Sequence, residues 1–244
     1  MTGRETSRPQ VLVPWASASV ALGAVLAVLL LAPDGHTVWY FVRASGISAY
    51  GLLTLTVVGG LVVSNRTLPG GQARADVFDA HQFLALLSLG TSGLHALALL
   101  LDEYVGFSPR QVLLPFTSSY RPVAVALGIM ALYLLAAVYA SFYLRRWIGQ
   151  KAWRAVHYAS FAVFVLATYH GILSGADSRE IWVLALYLGA IFSVVGLTAW
   201  RLVREAPTVP AKQAAASITA TEAPESAWAR GAAAAQTPSA STRS

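Results

Sequence analysis

The chain has 244 residues, of which 56% are hydrophobic and only 11% charged, and its formal net charge is +6. This composition excludes an ordinary soluble domain and is typical of a membrane protein with several spans, in which basic residues mark loops and indicate no nucleic-acid partner. Because there is no cysteine, disulfides, iron–sulfur clusters and thiolate-ligated metal centres are excluded as well.

Six apolar stretches follow one another along the chain, each long enough to cross a bilayer. We predict spans at residues 11–32, 44–64, 79–101, 121–144, 155–174 and 181–203. The predicted fold is therefore all-α, a six-helix transmembrane bundle at residues 11–204 in the plasma membrane. Residues 1–10 are predicted to be a cytoplasmic N-terminus. Residues 205–244, rich in Ala, Thr, Ser and Pro, are predicted to be a disordered cytoplasmic tail.

The first apolar stretch has a competing interpretation as a signal peptide. Arg4 and Arg8 precede it, as basic residues precede the apolar core of such a peptide. Its length exceeds the roughly 7 to 15 residues usual for that core, which favours a retained helix.

The loops differ in basic charge, and this difference predicts the orientation. With the N-terminus inside, the cytoplasmic segments hold Arg4, Arg8, Arg66, Arg74, Arg145, Arg146, Lys151 and Arg154. The outer loops hold only Arg43, Arg110, Arg121 and Arg179. The positive-inside rule therefore places both termini in the cytoplasm and makes the third and fifth spans run in the same direction.

Two spans each carry a pair of histidines, His81 and His95 in the third and His157 and His170 in the fifth. Ionisable residues at that depth are costly and are functional candidates by default. The members of each pair are separated by about 21 Å and 19.5 Å along their helices. Parallel spans therefore place His81 opposite His157 at an inner level and His95 opposite His170 at an outer level.

Two facing imidazoles in a helix bundle suit an iron porphyrin, whose apolar body fills the bundle core. Zinc or copper would more often recruit thiolates, carboxylates or a third histidine. The sequence thus predicts two stacked bis-histidine haem sites.

Helix rotation agrees with this prediction for one pair only. Fourteen residues return to within about 40° of the starting face, whereas thirteen leave His157 and His170 about 140° apart. Helix tilt, a local distortion or a sideways displacement of the two sites would each absorb the mismatch.

Six spans with His-x13-His on the third and His-x12-His on the fifth resemble the transmembrane domain shared by ferric reductases and NADPH oxidases. Residues 39–46, Trp-Tyr-Phe-Val-Arg-Ala-Ser-Gly, and 153–158, Trp-Arg-Ala-Val-His-Tyr, are similar to bacterial members of the ferric reductase-like group. The resemblance covers roughly residues 38–203. It implies two b-type haems that pass single electrons from the cytoplasmic side to an acceptor outside.

Many members of that family continue into flavin- and nucleotide-binding domains. In this chain no Gly-x-Gly-x-x-Gly motif follows the sixth span. In this respect it is similar to the membrane haem subunit of the bacterial periplasmic methionine sulfoxide reductase system. We therefore expect a separate cytoplasmic donor, namely a flavin reductase, reduced flavin or a quinol. Ferric chelates, oxygen, a periplasmic reductase and a copper or quinone partner remain open as acceptors, and so does whether the chain is an enzyme by itself.

Three arginines at span ends are candidate partners of haem propionates, Arg43 and Arg121 at the outer level and Arg154 at the inner level. Each has a second interpretation as a topology signal or a snorkelling side chain.

The alternative function is a histidine-based ion or metal transporter without haem. Such a protein would need intramembrane carboxylates, and the predicted spans contain almost none.

Overall fold

The computed structural model describes residues 35–65 and 71–205. The predicted N-terminal segment 1–10, the predicted first span 11–32 and all but the first residue of the predicted tail 205–244 lie outside these residues. Within them the backbone forms helices joined by turns, with no strand. The helices are α1 (Gly35–Ser64), α2 (Gln72–Ala98), a 3-10 turn (Leu99–Leu101), α3 (Pro109–Leu113), α4 (Pro122–Ser174) and α5 (Ile181–Glu205).

Four of the described helices, α1, α2, α4 and α5, are long and apolar enough to cross a membrane. The prediction of an all-helical membrane protein is confirmed for this part of the chain. Many large apolar side chains are exposed on these helices, as expected for surfaces that face lipid.

Helix α4 is folded back on itself at Gly149. This is the one residue within α4 whose dihedral angles are not helical (φ 78°, ψ 164°). The ring of His170 lies 2.8 Å from the carbonyl oxygen of Ala124, 46 residues away, whereas a straight helix would separate these residues by about 69 Å. Residues 122–148 (α4N) and 150–174 (α4C) therefore run antiparallel side by side, and each exceeds the roughly 20 residues that cross a bilayer.

Three aromatic rings at the centre of the bundle join α1, α4C and α5. Tyr50 lies 4.9 Å from Tyr187 and 6.1 Å from Phe164 between ring centroids, and its hydroxyl is hydrogen-bonded to that of Thr168 at 3.1 Å. Buried aromatic pairs of this kind contribute about 0.5–1.5 kcal/mol each beyond the area that they bury.

Polar contacts at the two ends fix the direction of α1 relative to α5. Near the start of α1, Arg43 pairs with Asp177 just before α5. At the other end of α1, the Asn65 amide donates to the carbonyl of Leu197 at 3.0 Å. The two helices therefore run in the same direction. From Trp200 onward the chain belongs to a separate unit, in which the Arg204 guanidinium lies 4.6 Å from the Trp200 ring centroid.

Two helices begin earlier than predicted. Helix α1 already includes Trp39, which we expected before the span, and α2 begins at Gln72, inside the loop predicted at 65–78. The two extra turns of α2 are supported by a hydrogen bond from Gln72 to Asp76, four residues on, at 2.7 Å.

The predicted loop 102–120 contains the short helix α3. Ser108 caps this helix with a reciprocal Ser–Gln capping box, and Pro109 occupies its first turn. Local capping residues, rather than apolar periodicity, explain this helix.

We expect Gly149→Ala to destabilise the protein, because the dihedral angles of Gly149 belong to a region that only glycine occupies readily, at a cost of about 1–3 kcal/mol for other residues. The thermal unfolding midpoint in detergent should fall. Gly189→Ala is the matched control, since this helical glycine has open space around a Cβ and alanine favours helix. Equal midpoints for the two variants would contradict a tight bend at Gly149.

Candidate functional site

The four predicted histidines meet in two pairs between α2 and α4C. His81 faces His157 and His95 faces His170, and in both pairs the ring centroids are 6.3 Å apart. The ring planes are nearly perpendicular, at 73° and 75°. Helices α2 and α4C thus run in the same direction, and the two pairs lie about 20 Å apart along the bundle.

Three of the four rings are held by backbone carbonyls. In each of these rings the Nδ1–H donates to a carbonyl on another helical segment. His81 donates to Thr56 at 2.8 Å, His95 to Val42 at 3.0 Å and His170 to Ala124 at 2.8 Å. A carbonyl can only accept, so each of these rings carries its proton on Nδ1, and the Nε2 lone pair is left for a ligand.

A glycine stands four residues after each accepting carbonyl. These residues are Gly46 after Val42, Gly60 after Thr56 and Gly128 after Ala124. Side chains lean toward the helix N-terminus, so a Cβ at position n+4 would cover the carbonyl of residue n. A Cβ built on these glycines would lie 3.0 Å, 3.1 Å and 2.6 Å from the histidine rings. The missing side chains therefore let each histidine reach a carbonyl on the neighbouring helix.

His157 is held differently. Within residues 35–65 and 71–205 its ring has no hydrogen-bond partner; instead it stacks on the Trp153 ring, with centroids 5.2 Å apart and an interplanar angle of 28°. Trp153 lies one helical turn earlier, on the same side of α4C. Ring stacking thus replaces the carbonyl contact at this one position.

The rotation mismatch between His157 and His170 is not absorbed by a distortion of the helix. Gly149 is the only residue of α4 with non-helical dihedral angles, so the segment that carries both histidines is regular. Of the three explanations, local distortion is wrong. The two rings lie on different faces of α4C, and accordingly His170 is held by the carbonyl of Ala124 and His157 by the Trp153 ring.

Two of the predicted arginines already have partners in the protein. The guanidinium of Arg43 donates to both carboxylate oxygens of Asp177, from Nε at 2.6 Å, and lies 4.1 Å from the Trp39 ring centroid. Arg121 donates to the carbonyl of Leu173 and lies 5.3 Å from the Tyr120 ring. Both stand at the His95/His170 end. Arg154 is exposed near the other pair.

The separation of the paired rings fits a metal ion between them. Metal–imidazole bonds are about 2.0–2.1 Å long, and the centroid of an imidazole lies about 1.15 Å from each ring atom when ring bonds are about 1.33–1.4 Å. Two imidazoles on opposite sides of one metal therefore have centroids about 6.4 Å apart. Edge-to-face contacts between aromatic rings without a metal also occur at about 4.5–7 Å, so the distance alone does not indicate a metal site. The Nδ1 protons are the second indication, because they leave Nε2 free to bind a metal.

Protein side chains do not complete a conventional metal site in the described ranges. No group of three or more His, Cys, Asp or Glu side chains there is placed to hold a metal ion. Each pair therefore offers two ligands. Between the histidines on α2, a Cβ on Gly90 or Gly93 would meet no atom of the described residues within 4 Å, so packing against these residues does not explain the two glycines.

Comparison with known proteins adds no assignment, since no protein-family profile, no curated protein and no solved structure matches the chain.

We expect alanine at Gly46, Gly60 or Gly128 to destabilise the protein, and most where the added Cβ would lie closest to a histidine ring. Gly128→Ala should lower the unfolding midpoint most, because its Cβ would lie only 2.6 Å from the His170 ring, whereas Gly46→Ala and Gly60→Ala should have smaller effects. Gly51→Ala, on α1 with no neighbour within 4 Å, is the control. A Gly128→Ala midpoint equal to that of the control would contradict the role of this glycine.

Proposed function

We propose that the chain is a membrane haem b protein that relays single electrons from a cytoplasmic donor to an acceptor on the outer side. The observation that carries this proposal is the matched geometry of the two histidine pairs, with equal ring separations and with Nδ1 protonated on three of the four rings. Such imidazoles present Nε2 to a metal in a fixed orientation.

Haem is favoured over a bare metal ion because each pair has only two protein ligands. A porphyrin fills the four remaining positions of an octahedral iron, whereas zinc or copper would need further side chains, which the described residues do not supply. His81 and His157 would hold one haem, and His95 and His170 the other. The haem supplies reversible one-electron chemistry, while the axial ligands and nearby charges set its potential.

The arrangement of charge supports an inner and an outer site. The closed end of the α4 hairpin carries Arg145, Arg146, Lys151 and Arg154 and lies nearest the His81/His157 pair. Basic loops favour the cytoplasmic side, so this pair is the inner one in a six-span topology with both termini inside. Outward movement of an electron is then favoured by the membrane potential, by about 2.3 kcal/mol per 100 mV for a full crossing.

The donor in this proposal is a separate cytoplasmic flavin reductase, reduced flavin or a quinol. The acceptor is ferric iron or a periplasmic reductase. The resemblance of the two histidine spacings to the ferric reductase-like group supports this choice of partners.

The test is haem stoichiometry with a reduced-minus-oxidised spectrum on the purified chain. We expect two b-type haems in the wild type and the loss of one in each of His81→Ala, His95→Ala, His157→Ala and His170→Ala. His36→Ala, which replaces the exposed fifth histidine at the start of α1, should keep both. A colourless protein after expression with adequate haem would overturn the relay and leave histidine-based ion or metal transport as the function to test.

We expect the Arg43–Asp177 pair to tune the outer haem. Ferric haem carries one more positive charge than ferrous haem, so Arg43→Gln should lower the potential of the His95/His170 haem and Asp177→Asn should raise it. A redox titration that resolves the two haems measures this. Arg179→Gln, exposed in the same connection, is the control. Unchanged potentials in both variants would remove the outer tuning role of Arg43.

A further inference from the structure

Trp153 brings an unused hydrogen-bond donor to the inner histidine pair. Its indole ring stacks on His157, yet its Nε1 is buried and has no hydrogen-bond partner in the described part of the chain. Buried polar groups nearly always have a partner, and leaving one unpaired costs about 1–3 kcal/mol. The unpaired N–H therefore points to an acceptor outside the described residues.

A cation is held beside the same ring. The guanidinium of Arg145 lies 5.4 Å from the Trp153 centroid and 5.2 Å from that of Phe142. It thus bridges the two arms of the hairpin through aromatic faces. No carboxylate of the described residues forms an ion pair with Arg145, so its charge remains available for an anion.

The neighbouring basic residues are placed differently. Arg146 lies over Trp147, 4.2 Å from that ring's centroid, on the exposed side of the hairpin. Arg154, the residue predicted from the sequence for the inner site, is exposed, as Arg145 is, but it has no such contact with Trp153. Arg145 is therefore the basic residue that shares a neighbour with His157.

We propose that the Trp153 N–H and the Arg145 guanidinium together bind a propionate carboxylate of the inner haem, in place of Arg154. This inference rests on the proposed haem function. A charged acceptor suits both groups, since hydrogen bonds to ionised partners are roughly twice as strong as neutral ones. The same indole holds the His157 ring by stacking, so Trp153 is a positioning residue for both the axial ligand and the carboxylate.

The experiment separates the N–H from the stacking ring. Trp153→Phe keeps an aromatic face against His157 and removes the N–H donor together with the five-membered ring of the indole, while Arg145→Gln removes the charge and Arg145→Lys retains it. Arg146→Gln is the matched control, one residue away and stacked on a different ring. Haem release from the purified full-length proteins to excess apomyoglobin and the midpoint potentials of both haems are measured. The inner haem is identified as the one missing from His157→Ala.

We expect Trp153→Phe and Arg145→Gln to release the inner haem about tenfold faster or more, with the outer haem unchanged. Arg145→Gln should also lower the inner potential, because a cation near the iron favours the ferrous state, and Arg145→Lys should restore it. The assignment would be overturned if Trp153→Phe or Arg145→Gln released the inner haem no faster than Arg146→Gln does. It would also be overturned if release of both haems were accelerated equally. A wild type without haem would instead refute the proposed function.

Discussion

The hydrogen bond from a histidine Nδ1–H to a backbone carbonyl of the next helix is the contact on which the site depends. It occurs at His81, His95 and His170, and each time a glycine at the fourth position after the acceptor removes the side chain that would block it. This hydrogen bond determines which ring nitrogen carries the proton and how the ring is oriented, and it requires the two helices to pack closely. Val42 and Thr56 are as far apart on α1 as His81 and His95 are on α2, so one antiparallel register satisfies both.

The fourth histidine breaks this pattern, and the difference gives the two ends of the bundle distinct chemistry. The His95/His170 end is tied by carbonyls on both sides and by the partly buried Arg43–Asp177 pair. At the His81/His157 end, His157 stacks on Trp153 instead, and the nearby turn at Gly149 is flanked by basic residues. In the proposed electron relay, such asymmetry would allow each haem to have its own potential and its own partner.

Much of this architecture could be predicted from the sequence, because long apolar runs and histidine spacing are local properties. The histidine pairing required only the assumption that two spans run in the same direction. The Arg43–Asp177 pair joins residues 134 positions apart, and no local pattern indicates it. The hydrogen bonds from histidine to the carbonyls beside glycine could not be predicted without the register between the helices. The angle between His157 and His170 around the helix follows from their spacing, but the different neighbours that orient the two rings do not.

The most direct test of two bis-histidine sites is the low-temperature electron paramagnetic resonance spectrum of the oxidised protein. If each histidine pair holds a haem, ring planes at 73° and 75° would leave two iron orbitals nearly equal in energy. We therefore expect two low-spin haem signals, both strongly anisotropic. Rhombic signals of parallel imidazoles, a high-spin signal from a five-coordinate haem, or no haem signal at all would contradict it.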